Sequence, residues 1–142
     1  MTTRPEIVDE ARRWIRTPFH WQASKRGAGC DCKGLIVGVG KAVGLPEAHD
    51  LACAVHDYGA VVDESRLRAT LEKLLAPVTE PRPGDVMLLK VGTPLKAQHL
   101  GLFVGSGRMI HCYQAGPECV IEVPIGRSRP IDSYWTWPSL GD

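Results

Sequence analysis

The sequence has no excess of charge of either sign. Its 142 residues carry 17 Lys and Arg against 16 Asp and Glu, a formal net charge of +1. Nucleic-acid binding draws on a basic excess that neutralises phosphates, so no nucleic-acid partner is expected. Long apolar runs are also missing. Leu35–Val39 and Val86–Leu89 fall far below the ~20 residues of a membrane-spanning helix, so no membrane partner is expected. The stretch Met1–Glu10 contains Glu6, Asp9 and Glu10 and no apolar core, so it does not read as a secretory signal. No internal repeat or low-complexity run is present. The five cysteines are an odd number, which argues for reduced thiols, one of them reactive, over a disulfide framework.

What is present fits a globular chain: 44% apolar and 23% charged residues, with a length that predicts a single domain over 1–142. Thr3 and Glu6 form a capping-box pattern with Pro5 between them, predicting a helix from Pro5 to Arg16. A second helix is predicted from Asp31 to Val43, stopped by Gly44 and Pro46. Gly34, Gly38 and Gly40 lie within it. Each weakens a helix by about 1 kcal/mol relative to Ala, so their presence implies close packing or room for a ligand. Residues 46–62 read as irregular and surface-lying. A third helix is predicted from Asp63 to Leu75, with Pro77 as its terminator. Strands are predicted at 85–91, 98–104, 108–113, 119–124 and 131–135. Helices followed by antiparallel strands make the class α+β.

The chemistry centres on Cys32, His99 and His111. A thiol reacts as its thiolate, and a helix N-terminus favours that anion. Cys32 falls in the first turn of the second helix, so its pKa is expected to be lowered. Segment 98–104 alternates faces, and a three-residue turn at Gly105-Ser106-Gly107 sets Gly101 opposite His111 and His99 opposite Tyr113. His99, Gly101 and Phe103 then share a face with Met109, His111 and Tyr113. A two-residue turn would separate the histidines. With the turn as predicted, Cys32 attacks a carbonyl carbon, His99 takes and returns the proton, and His111 orients His99. The backbone N–H of Cys32 is a candidate oxyanion donor.

These segments resemble the NlpC/P60 family of papain-like cysteine peptidases, which cut bacterial cell-wall peptides. The matches are Thr17-Pro18-Phe19-His20-Trp21, Cys30-Asp31-Cys32-Lys33-Gly34-Leu35, Pro83-Gly84-Asp85-Val86, and Gln98–Gly105 followed by Met109-Ile110-His111. They stand in the family's order over roughly residues 10 to 125. The resemblance implies a nucleophile helix packed on a C-terminal antiparallel sheet, with Cys32 as nucleophile, His99 as base and His111 as the orienting residue. It makes Phe19, His20, Trp21, Gln22, Asp31 and Gly34 candidates for the oxyanion and substrate site, and implies neither metal nor cofactor. Two departures stand out. Phe19 replaces a tyrosine found in many members, leaving His20 or Gln22 as the candidate donor. Lys33 replaces a serine, at a position expected to be exposed.

The likeness extends to short members encoded among the tail genes of phages and gene transfer agents. It rests on Pro18–Ser24, Cys30-Asp31-Cys32 and the aromatic tail Tyr134-Trp135-Thr136-Trp137-Pro138. It implies peptidoglycan and other tail or baseplate proteins as partners, and a place in a phage-like particle that opens the wall. Three alternatives remain: an inactive structural tail component, an amidase or acyltransferase on the same triad, and a metal site made of Cys30, Cys32, His99 and His111, for which one Cys-x-Cys is weak support. Structural readings suffice elsewhere. Asp31 caps the second helix. Cys30 is a loop or core thiol, and Cys53, Cys112 and Cys119 are buried. His49 and His56 are solvated, and Arg82 and Lys90 are surface charges. Trp21 either walls a groove or packs, and the aromatic tail is a last strand or a docking patch.

Overall fold

A computed structural model describes residues 1–56, 64–114, 116–126 and 130–142. Helix α1 runs Arg4–Arg13 and α2 runs Cys32–Ala42, with the two-residue strands β1 (Ser24–Lys25) and β2 (Gly29–Cys30) between them. Helices α3 (Glu47–His56) and α4 (Glu64–Leu74) follow. The remaining strands are β3 (Ala76–Val78), β4 (Val86–Val91), β5 (Lys96–Gly105), β6 (Arg108–Cys112), β7 (Val120–Pro124) and β8 (Ile131–Thr136). They form one antiparallel sheet in the order β3-β8-β4-β5-β6-β7. The architecture is α+β, with α2 packed on β5 and β6. Among the described residues no helix is long and apolar enough to cross a membrane.

Alternation splits the strands between two apolar clusters. Val86, Leu88, Leu100, Leu102, Ile110 and Trp135 join Leu35, Ile36 and Val39 in the main core. Met87, Leu89 and Met109 form a smaller cluster with Phe103, Val123 and Tyr134. The α1 cap follows the sequence pattern, with the Glu6 N–H donating to Thr3 Oγ1 at 3.3 Å. The helix stops three residues before the predicted end. Arg16 takes φ +78°, and its N–H donates to the Val120 carbonyl at 2.9 Å, so pairing with β7 overrides the helical periodicity.

Other expectations need correction. Residues 47–56 form α3 rather than irregular chain; its apolar face is short, with only Ala48 and Leu51 buried within Glu47–Ala54, which weakens the periodic signal. Residues 57–62 and the predicted helix start at Asp63 lie outside the described residues, as does the His56 side chain. Pro77, expected only to stop a helix, sits in the edge strand β3, where no ladder N–H is required of it. Cys53 is exposed and Cys119 half-buried, while Cys30 and Cys112 are buried. The aromatic tail is mainly core: Trp135 and Trp137 are buried, and Trp137 Nε1–H donates to the Gly84 carbonyl at 3.0 Å. The Pro83-Gly84-Asp85 turn is held by Asp85, whose buried carboxylate meets Arg4 Nη1 at 2.7 Å and accepts the Arg82 N–H at 2.8 Å.

Candidate active site

The histidine side of the site comes from strand register. Gly101 pairs with His111 and Phe103 with Met109, the register expected from the sequence, but reached differently. Gly105 pairs directly with Arg108, leaving the two-residue turn Ser106-Gly107, and the register shifts by one between Phe103 and Gly105. Ser106 and Gly107 both have positive φ, +53° and +67°, as a tight hairpin turn requires. The bulge restores the parity that such a turn alone would break. His99 Nε2 and His111 Nδ1 are 2.8 Å apart and buried. The two rings meet edge to face at 5.1 Å, and Tyr113 packs on His99 at 4.9 Å.

The nucleophile side is built by side-chain clamps. Asp31 caps α2: Oδ1 accepts the Gly34 N–H at 2.7 Å and Oδ2 the Gln22 N–H at 2.8 Å. Gln22 takes φ +62°, a left-handed conformation uncommon outside glycine. Ser24 Oγ donates to the Gly34 carbonyl at 2.6 Å. The loop therefore lies directly on the first turn of α2. A Cβ on Gly34 would stand 1.9 Å from the Ala23 carbonyl oxygen, and one on Gly38 would stand 2.1 Å from the Trp14 ring. Close packing, the first of the two readings of these glycines, accounts for both.

Cys32 is the first residue of α2 and is 8% exposed. Here the expected lowering of its pKa is corrected. Burial pushes the Cys32 thiol up, against the Lys33 charge and the Leu100 backbone N–H, which both favour the thiolate. Desolvation of the anion outweighs both because the sulfur is largely sealed from water. Cys32 shares the main apolar core with Leu100, the residue adjoining His99 on β5. Cys30 lies behind it as a buried thiol, pushed up by hydrogen bonding with Cys112 and by burial. The Cys112 thiol donates to the Cys30 carbonyl at 3.4 Å. Among the described residues, no metal-binding group of His, Cys, Asp or Glu is assembled.

The remaining candidates spread along the loop. Phe19 bridges Cys30 through its backbone, and its ring meets Trp21 edge-on at 5.0 Å. Trp21 is 49% exposed. The ring of His20 covers Gly29. Gln22 lines a cavity beside α2 that also takes in Asp31, Lys33 and Gly34. Lys33, expected to be exposed, is only 3% exposed. Sequence reasoning missed this burial and the Leu100 N–H. Neither leaves a sequence trace: the burial comes from residues distant in the chain, and a backbone donor has no side-chain signature.

A sequence model described as the NlpC/P60 family matches residues 16–124. A curated protein of Mycobacterium tuberculosis (strain ATCC 25618 / H37Rv), described as a probable endopeptidase, is 25% identical over 128 residues, 90% of this chain and 28% of its own length. The chain thus spans about 28% of that relative. Among solved structures, the NlpC/p60 domain of the peptidoglycan hydrolase SagA is similar with a TM-score of 0.61 and 21% identity, over 94% of this chain and 98% of that one. An NlpC/P60 family protein from Bacillus cereus ATCC 10987 gives a TM-score of 0.69 and 16% identity, over 96% of this chain and 41% of that one. At these identities the structural likeness concerns the fold.

Proposed function

The chain belongs to the NlpC/P60 family, and from that premise we propose that it is a cysteine endopeptidase cutting stem peptides of bacterial peptidoglycan, working as one catalytic domain. The observation that carries this reading is the buried His99–His111 pair at 2.8 Å, set on the strands against which α2, with Cys32 as its first residue, is packed. His99 engages His111 through Nε2, so Nδ1 is the nitrogen that takes the Cys32 proton. In that tautomer His99 Nε2–H donates to His111 Nδ1, and the same bond stabilises the imidazolium once it forms.

The Cys32 thiolate attacks the scissile carbonyl carbon, and the carbonyl π electrons move onto oxygen. The Cys32 N–H, at the start of α2, is the candidate donor to that oxyanion. Collapse breaks the C–N bond, and the His99 imidazolium protonates the departing amine. Water, deprotonated by His99, then hydrolyses the thioester and regenerates the thiol. Because burial raises the thiol pKa, the ion pair with His99 rather than the helix terminus is what makes a thiolate accessible.

The finer reading is that the enzyme sits in the tail of a phage-like particle, among tail or baseplate proteins, and opens the wall during DNA delivery. It is supported by the resemblance of residues 18–24, 30–32 and 134–138 to tail-encoded members. The test is digestion of purified muropeptides by the wild type and Cys32→Ala, read by mass spectrometry. New stem-peptide fragments are expected with the wild type and none with Cys32→Ala. Fragments that persist with Cys32→Ala refute the assignment, and cleavage at the sugar–lactyl amide would make it an amidase. Detection of the protein in purified particles by mass spectrometry tests the tail placement; its absence from them refutes it.

A further inference from the structure

The proton that His99 takes from Cys32 creates a cation where the fold admits little water. His99 is 2% exposed, and burial disfavours the charged form of an imidazole. The orienting residue answers this only in part. His111 is itself a buried imidazole. At 2.8 Å it offers His99 Nε2–H a lone pair, not the full negative charge of a carboxylate.

A second ring lies on His99. Tyr113 directly follows β6, on the face that strand alternation gives to His111. Its ring meets the His99 ring at a centroid distance of 4.9 Å and an inclination of 64°, nearer than the His111 ring at 5.1 Å. Tyr113 is half-exposed, so its side chain runs from the buried imidazole out to solvent. The other charges around this part of β5 are mixed in sign. Among the described residues, the elements packed on it present Cys32 and Lys33 at the start of α2, Lys90 on β4 opposite Ala97, and Glu64 on α4. Glu64 accepts the Ala97 N–H at 3.1 Å and pairs with Arg68 at 3.9 Å. Lys33 and Lys90 oppose a further positive charge, and the Glu64 charge that favours it is shared with Arg68.

A cation within about 6 Å of an aromatic centroid is attracted by the negative face of the ring, more strongly where water is excluded. A neutral imidazole gains less from the same contact. The contact therefore strengthens as the proton moves, which is the condition for accelerating a step.

We propose that Tyr113 is a positioning residue whose ring holds the His99 imidazole and stabilises the imidazolium formed when Cys32 gives up its proton. In that step the Cys32 Sγ–H bond breaks with its electron pair kept on sulfur, and the proton bonds to His99 Nδ1. The inference rests on the endopeptidase reading for the partnership of Cys32 with His99. It draws on the Tyr113 ring and not on its hydroxyl.

The experiment follows the thiolate rather than turnover. Iodoacetamide alkylates thiolates, and peptide mass spectrometry reads Cys32 apart from the other cysteines. Tyr113→Leu removes the ring and should slow Cys32 alkylation at neutral pH roughly fivefold. Tyr113→Phe keeps the ring and should react like the wild type. At strongly alkaline pH the thiol ionises without a protonated partner, so all three should react alike. A change in access to the sulfur would instead slow alkylation equally at both pH values. His99→Ala sets the neutral-pH rate expected without an imidazolium. The buried Cys30 and Cys112 should stay unmodified throughout. Equal neutral-pH rates for Tyr113→Leu and the wild type, equal slowing in Tyr113→Phe, or equal slowing at both pH values overturns the proposal. So does a wild type no faster than His99→Ala. Alkylation of Cys30 and Cys112 in Tyr113→Leu would also overturn it, by making the ring structural. Muropeptide digestion by the wild type tests the endopeptidase reading separately. Without cleavage that reading fails, while a ring-dependent Cys32 thiolate at neutral pH would still establish the coupling of Tyr113 to His99.

Discussion

The two arms of the site are built by different physics. The histidine arm is a hairpin whose geometry is set by period-2 alternation and ladder register: Gly101 opposite His111 places the imidazoles. The nucleophile arm, residues 18–34, has almost no regular ladder. It is held by Asp31 bonding two backbone N–H groups, by a left-handed Gln22, and by a glycine that admits a carbonyl. A ladder has many equivalent bonds and absorbs local change. A clamp has few, and each is needed. The histidine arm should therefore lose chemistry before structure, and the nucleophile arm should lose both together.

The largest expected effect is chemical and falls on the histidine arm. His111→Ala removes the partner of His99 Nε2, and kcat should drop about 1000-fold, near 4 kcal/mol. KM should change little, and the hairpin should keep its fold. A drop in activity matched by unfolding of the hairpin, read from amide exchange, would erase the distinction between the arms.

Glycine substitutions sharpen the contrast next. Gly34→Ala drives a Cβ to 1.9 Å from the Ala23 carbonyl oxygen. Backbone must move, and a loss of about 3 kcal/mol with abolition of muropeptide cleavage is expected. Gly101→Ala meets nothing closer than 3.4 Å, so less than about 1 kcal/mol should be lost. Denaturant midpoints of the two variants decide it, and the reverse order would break the comparison. Asp31→Ala comes third. It removes the α2 cap and the anchor of Gln22, worth about 2 kcal/mol together, whereas Asp31→Asn keeps a capping oxygen and should retain about half of that.

The same contrast explains what was legible in the sequence. Register is a property of consecutive residues, so the alternation of 98–104 and the hairpin spacing were enough to bring His99, His111 and Tyr113 to one face. The turn was misread and a bulge compensated for it, because burial of one face fixes the parity that turn geometry alone does not. Asp31 as a cap was legible for a similar reason: capping is local. Lys33 was not legible. Its burial comes from the loop, α1 and α3 closing around α2, contacts between residues far apart in the chain. The thiol pKa failed in the same way, since a helix N-terminus can be read from sequence whereas desolvation by packing cannot. Helix α3 and strand β3 were missed because each is short and carries little periodic signal.

The smallest expected effect is in the pH dependence of stability, where ion pairs outside the nucleophile arm should shape the acid limb and thiols within that arm the alkaline one. Arg12 and Arg108 beside Glu122, and Arg68 beside Asp132, hold both carboxyls below their usual range. These pairs tie α1, β6 and β7 together, and α4 to β8. Their contribution is fully present above the unfolded value near 4 and is lost as pH falls through the lowered folded values. Being partly exposed, each pair should matter by less than about 1 kcal/mol. The thiols act at the other end. Burial and hydrogen bonding raise Cys30, and burial raises Cys32. Their neutral forms leave stability intact below about 8.5, and it declines as pH climbs from there toward the raised folded values. In urea titrations across pH, Asp132→Asn should flatten the acid limb alone, and Cys30→Ala the alkaline limb alone. An alkaline limb unchanged in Cys30→Ala would mean that the packing behind the nucleophile, which sets the thiol chemistry of this arm, contributes nothing to its stability.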